Sequence, residues 1–361
     1  MSRHVVLVLV LASAACGSNM SAGSASLPPL TQTAPVANDP DDPAIWVDPH
    51  DAAHSVVLGT NKVAASEGGA LYVFGLDGSV RQTIAPLDRP NNVDVEYGLA
   101  TPRGPTDIAV VTERYQHRLR VFAIEDGRLT AIDDGRGIPV LEGQQGEASE
   151  PMGIALYKRP NDGALFAIVA PKTGRTTNYL WQYRIEIDST TGRTRGTLVR
   201  RFGDYSGTSE IEAVAVDDAL GFVYYSDEEF AIRKWHANPD HADAAHELAT
   251  FGRTGFKRQR EGIGILSRPD GTGFIVVSDQ IPNGTELKIY PREGRPGRQH
   301  EHEPPIATVV TPADSTDGLD VVSSPLDGRF GGGALVMMNS SARNFLMFKW
   351  DDVAAAMTAE R

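Results

Sequence analysis

Short apolar runs in groups of four, one group about every 50 residues, constrain this chain more than any other feature of its sequence. The first group, AIWV, VVLGT, ALYVFG and VRQTI, occupies residues 44–84. Four similar groups occupy residues 93–132, 153–202, 212–251 and 262–310, and a last group of only three runs occupies 318–350. Asp-Gly turns at Asp77, Asp126, Asp162, Asp270 and Asp327 punctuate them. Runs of this length bounded by turn residues read as strands. Four strands at this period predict the blades of a β-propeller. The expected fold is all-β: a six-bladed β-propeller with four-stranded antiparallel blades. Residues 30–36 are expected to supply the strand missing from the sixth blade, closing the ring and removing its exposed edges. Two β-sandwiches would need a linker, and the composition shows no break between residues 41 and 350.

The start of the chain is of a different kind. Arg3 and His4 precede an apolar run, then the small residues SAA, then Cys16, the one cysteine. This reads as a secretory signal peptide over residues 1–16, with small residues before a cysteine as at a lipoprotein cleavage site. No internal disulfide is possible. Residues 17–36, rich in Ser, Ala, Thr and Pro, read as a flexible tether, and 37–361 as a single propeller domain. The expected location is outside the cytoplasm: an outer-membrane or cell-surface lipoprotein, or otherwise a periplasmic or secreted protein. Membrane contact is expected only through lipid on Cys16. A net charge of −13 argues against nucleic-acid binding, which needs a basic footprint. A monomer is expected.

Hairpin geometry brings distant residues together. In an antiparallel hairpin, the start of the first strand and the end of the second share one edge, so Asp42 and Lys62 are expected to be neighbours. The same reasoning collects Asp41/Asp42, Asn91/Asn92 with Asp94, Glu150, Glu212, Glu261 and Asp317 before the first strands. It collects Lys62, Arg114, Lys172, Asp227/Glu228, Asp279/Gln280 and Asn339 after the second strands. In a propeller these positions ring one mouth of the central channel. The second-strand positions are basic in the first three blades and acidic or amide in the last three. Converging carboxylates call for a hard cation such as calcium, and Lys and Arg suit phosphate. The divided mouth therefore predicts a polyanion site. Two other readings stay open here: a non-catalytic surface propeller binding polyanions or partner proteins, and another metal-dependent propeller hydrolase such as a lactonase. No strand-to-helix G-x-S-x-G elbow and no close-spaced histidine pattern within the strands is present.

DDPAIWVDP (41–49), TNK (60–62), NNVDVEYG (91–98), GIALY (153–157), IEAVAVDDALG (211–221), DEEFAIRKW (227–235), REGIGIL (260–266) and STDGLDVV (315–322) resemble the β-propeller phytases. The likeness spans residues 38–350, with DDPAIW and NNVD its most specific parts. It implies calcium-dependent hydrolysis of phosphate monoesters from myo-inositol hexakisphosphate (phytate), free or as its calcium complex. It implies two or more calcium ions and a metal-activated water, with no covalent enzyme intermediate. Carried over, it implies phosphate contacts from Lys62, Arg114, Tyr157 and Lys172. Together with the ring it gives Asp41, Asp42, Glu212, Asp227, Glu228, Glu261, Gln280 and Asp317 as metal ligands, and Glu212, Asp227, Glu261 and Asp317 as catalytic residues. Three departures stand out. Gln259 replaces an acid, Asp227 a glutamate, and the acidic loop of the last blade shortens to NSSARNF at 339–345.

Overall fold

The six groups of runs form six antiparallel sheets, here in a computed structural model that describes residues 26–359. Blade one runs outward from the channel as Pro40–Trp46, Val56–Asn61, Ala70–Gly75 and Val80–Ile84. The inner strands of blades two to six are Pro90–Thr101, Pro151–Lys158, Val214–Asp217, Arg260–Ser267 and Leu319–Val322. Blade two carries an extra two-residue strand, Ile138–Pro139, beside Arg128–Ala131 on its third strand. The six-bladed, four-stranded architecture is the expected one.

Ring closure joins the two ends of the chain. Thr31–Gln32 pairs antiparallel with Asn344–Lys349, Thr31 standing opposite Met347. The flanking residues are bound too: the Leu27 amide donates to the Val310 carbonyl at 2.8 Å, and Val36 is buried. Residues 27–36 thus belong to the propeller, which corrects the expected tether over that stretch. The expected signal peptide and Cys16 lie outside the described residues.

Side chains alternate in direction along a strand, so each blade presents two apolar faces. Each face packs on a neighbouring blade, and the core is six wedges, one per junction. Leu58 meets Val111 between blades one and two, Val121 shares a cluster with Leu156 at the next, and Tyr157 with Val223 at the third. Tyr224 with Ile275, Leu287 with Met337, and Ile45 with Phe345 fill the remaining three. The one described α-helix, Trp350–Ala359, packs on blades five and six. Among the described residues no helix is long and apolar enough to cross a membrane.

Four of the six inner strands share an irregularity that matters for the mouth. Their register shifts between Pro40 and Pro43, Pro90 and Val93, Pro151 and Ile154, and Arg260 and Ile263. A bulge of this kind adds a residue and re-aims the side chains around it. Amides that leave the ladder need other acceptors. The hydroxyls of Thr60, Thr112 and Ser278 accept those of Asp42, Asn92 and Gly262 at 3.0, 3.0 and 2.8 Å.

Candidate active site at the channel mouth

In five of the six blades the second strand carries, at or near its end, a residue that fastens the loop leading into its own blade. Asn61 Oδ1 accepts the amides of Asn38 and Asp39, and Glu113 Oε1 that of Asp88. Asp227 accepts Ser206, Asp279 accepts Lys257 and Arg258, and Asn339 accepts Asp314. Since successive side chains point opposite ways, the next residue is the one aimed at the mouth. Lys62, Arg114, Lys172, Glu228 and Gln280 hold that position in blades one to five. The inner strands contribute Asp41, Asn91, Met152, Glu212, Glu261 and Asp317 at the equivalent point just before or within the bulge.

These side chains meet across blades. Lys62 Nζ pairs with Asp41 and lies 3.7 Å from carboxylate oxygens of both Glu212 and Asp317. Asn91 Nδ2 donates to Asp41 at 3.1 Å and to Glu212, while its Oδ1 accepts from Arg114 at 3.1 Å. Arg114 also pairs with Glu150 at 2.7 Å, and Lys172 with Glu210. Gln280 donates to Asp317 at 3.1 Å. Oxygens of Glu210, Glu212 and Glu228 all lie within 4.8 Å of one another. Ser209 Oγ donates to Glu228 at 2.6 Å and accepts from Gln259 Nε2 at 3.0 Å, so Gln259 supports the cluster by a neutral bond where an acid would add charge.

Crowding of buried acids shows in their proton affinities. Burial, with Glu228, Asp317 and Glu212 nearby, pushes Glu261 up to about 10. Burial and then the Glu212 and Glu210 charges, against a bond from Ser209, raise Glu228 to about 7. Burial raises Asp317 to about 6 although Lys62 opposes it. Burial disfavours the charged form of Lys62, but the Asp41, Glu212 and Asp317 carboxylates prevail and raise its pKa. A hard cation of high charge relieves this repulsion, and the donors are all oxygen, so the cluster can hold a metal ion.

Most of the expected residues converge: the acids and amide Asp41, Glu212, Glu228, Glu261, Gln280 and Asp317, and the bases Lys62, Arg114 and Lys172 set against acids of the mouth. Three do not. The bulge turns Asp42 down the channel, where its Oδ2 accepts from Val93 of blade two at 3.0 Å; Asp41, not Asp42, is the partner of Lys62. Asp227 is fully buried inside blade four, bonded to Arg233 Nε at 2.9 Å and to Ser206 Oγ at 2.6 Å. Glu228 therefore supplies a glutamate at the mouth position of that blade. Tyr157 pairs with Phe166 near the far end of its strand, six residues or roughly 20 Å from Pro151 at the mouth, and is buried against Phe166 and Val223. Glu150 precedes the equivalent inner-strand position, which Met152 occupies. Glu210 was not singled out by sequence; its spacing of two from Glu212 in an extended approach was the available signal.

Below the mouth the channel narrows to a cavity of about 110 Å³ lined by Asp42, Asp94 and Asp320. Each of these acids accepts an amide of the next blade's inner strand: Asp320 from Ile45 at 2.7 Å, Asp42 from Val93, and Asp94 from Leu156 at 2.6 Å. They staple blades together, and burial raises Asp94 to about 8.

Fold and mouth together define a class: a six-bladed propeller in which a carboxylate cluster and basic side chains paired with it converge at one end of the channel. The family model Phytase matches residues 2–361, and the chain belongs to the phytase family and is an enzyme of that kind. It is 29% identical over 339 residues to the 3-phytase of Bacillus subtilis (strain 168), covering 90% of this chain and 83% of that one. Two solved structures of BBS1N in complex with ARL6DN, soaked with lead and with mercury, are similar at TM-scores of 0.46 and 0.45 and 12% identity, covering 87% of this chain and 78% of theirs.

Proposed function

We propose that this protein is a calcium-dependent phosphomonoesterase that hydrolyses phytate by attack of water on phosphorus. The observation that carries the reading is the meeting of Glu210, Glu212 and Glu228 within 4.8 Å, beside Lys62 and Lys172. Membership of the phytase family and the likeness to a 3-phytase point the same way.

Glu210, Glu212 and Glu228, with Asp41, Glu261, Gln280 and Asp317 around them, are the groups that would hold two or more calcium ions. Calcium takes six to eight oxygens in flexible geometry, which suits several carboxylates and an amide oxygen from different blades. When bound, calcium supplies counter-charge to these acids and Lewis acidity toward phosphoryl oxygens. Glu212 accepts the proton of the attacking water, which forms the new O–P bond as the ester P–O bond breaks in line with it. The leaving inositol oxygen takes up a proton from solvent. Lys62, Arg114 and Lys172 hold the equatorial oxygens and a neighbouring phosphate, and their charge counts most as negative charge shifts in the transition state. No side chain needs to form a covalent intermediate.

The proposal extends to export, with residues 1–16 as the signal region, cleaved before Cys16 so that Cys16 becomes the lipid-bearing mature N-terminus, and to action as a monomer. Phosphate release from phytate at millimolar calcium, with and without excess chelator, tests the central reading. Release that depends on calcium is expected; undiminished release in chelator refutes the metal mechanism.

A further inference from the structure

We propose that the far rim of blade four carries a metal site of a different chemistry, formed by His236, His241 and Asp243 and suited to a transition cation of the zinc class. Each of the three offers one donor atom, and these atoms lie within 4.8 Å of one another. The two imidazoles stack with centroids 3.5 Å apart and planes 19° apart. Two imidazolium cations would repel strongly at that separation, so the pair does not carry two charges at once, and neutral imidazole is the form that ligates metal.

The site is far from the mouth. His236 ends the third strand, Ala231–His236, opposite Phe222, whereas Asp227 at the mouth end pairs with Ala231. Five residues of strand separate the two ends, about 17 Å. The turn carrying His241 and Asp243 is pinned on both sides. Arg200 donates to the Ala244 carbonyl at 2.8 Å and to the His236 carbonyl, and Arg159 donates to Asn238 Oδ1 at 3.1 Å. The His241 amide bonds to Asn238 O and the Ala244 amide to His241 O, and the Asp243 amide donates to His241 Nδ1 at 3.1 Å, a bond that zinc on either ring nitrogen would replace. A strand end and a turn fixed by two arginines are the kind of rigid support that a ligand set needs.

Donor type selects the ion. Imidazole favours zinc, copper and nickel, whereas calcium and magnesium take oxygen. The rim therefore does not compete for the cation of the mouth. Tetrahedral zinc places its donors about 3.3 Å apart. His241 and Asp243 are exposed, so their side chains are free to turn, and opening the His236–His241 stack lets the ring lone pairs converge on one ion. Three protein ligands leave one position for water. The bound ion clips the turn after the third strand to the strand itself.

The test is calorimetric titration of zinc into the untagged full-length protein at saturating calcium, for wild type, His241→Ala and Asp243→Asn. Both substitutions are at exposed positions and leave the core alone. Wild type is expected to bind one equivalent more than His241→Ala, or to bind it at least about tenfold more tightly, with Asp243→Asn also weakened. Zinc is expected to raise the melting temperature of wild type more than that of His241→Ala. Absence of zinc binding by wild type, or equal stoichiometry and affinity in His241→Ala, overturns the site.

Discussion

Asp227 and Glu228 are consecutive but lie in different surroundings, one bonded to Arg233 inside the blade and one in the carboxylate cluster, so exchanging each for its amide tests whether support and chemistry are divided between them. Asp227→Asn removes the charge facing Arg233 inside blade four, where the carboxylate is fully buried. Stranding one member of a buried pair costs about 3–5 kcal/mol. Arg233 keeps a second partner, Glu247 at 2.8 Å, and the asparagine oxygen still accepts the Ser206 amide. The loss therefore falls at or below the bottom of that range, about 2–3 kcal/mol. Unfolding entropy for a chain of this size is about 0.7 kcal/mol per degree, so the melting temperature should fall by about 3–4 °C. Turnover below the transition and calcium affinity should stay within about threefold of wild type, a change of less than about 0.7 kcal/mol. Glu228→Gln should do the reverse: turnover falls by about a hundredfold or more with weaker calcium binding, and the chelated protein melts higher because one crowded charge is gone. Calorimetric melting with and without chelator, calcium titration and phosphate-release kinetics read all of these. An Asp227→Asn variant that keeps its melting temperature but loses turnover or calcium binding would falsify the division of roles.

Glu212→Gln should remove most turnover while phytate still binds, measured by phosphate release alongside calorimetry. Lys62→Ala and Lys172→Ala should each lower kcat/KM by about one to two orders of magnitude, the worth of a charge-assisted phosphate contact; unchanged kinetics in either would remove that lysine from the site. In chelator, stability should fall as pH rises. Glu228 and Asp317 bind protons more tightly folded than unfolded, so their contribution is complete below about pH 4 and lost as pH climbs through about 6 to 7, where their folded values lie. Calcium should flatten this slope, and a melting temperature that rises over the same window in chelator contradicts the crowding. Finally, a Cβ on Gly153 collides with the Glu212 carbonyl, so Gly153→Ala should cost about 1–3 kcal/mol and depress turnover through displacement of Glu212, with phytate affinity less affected.

The fold was legible because a period of about 50 residues with four strands each is hard to satisfy any other way. The basic arc was legible too, since Lys62, Arg114 and Lys172 follow their strands without ambiguity. Doubt lay wherever two polar residues adjoin, as in Asp41-Asp42 and Asp227-Glu228. A strict alternation cannot choose between neighbours when a bulge shifts the register, and Asp42 was given the place that Asp41 holds. The cue for Asp227 was nonetheless present. Asn61, Glu113, Asp227, Asp279 and Asn339 form one column of side chains that can accept a loop amide, and a mouth residue follows each of the first four. Tyr157 came from likeness rather than from a hairpin end, and position along the strand excludes it from the mouth. The rim histidines were invisible because His241 meets His236 through a turn of irregular spacing.

Closure of the ring bears on how the molecule can be rewired. Leu27 bonds to Val310 on the outer strand of blade five, and the C-terminal helix packs on the same strand, so both ends of the described chain share one edge. A short peptide joining them would leave every blade intact, and the loops of the outer rim offer new places to begin. The seam at Thr31–Gln32 is thus a matter of genetic bookkeeping rather than of architecture. A permuted chain opened elsewhere should assemble the same mouth, with Asp41 and Asp317 brought side by side by continuous blades rather than by the meeting of two termini.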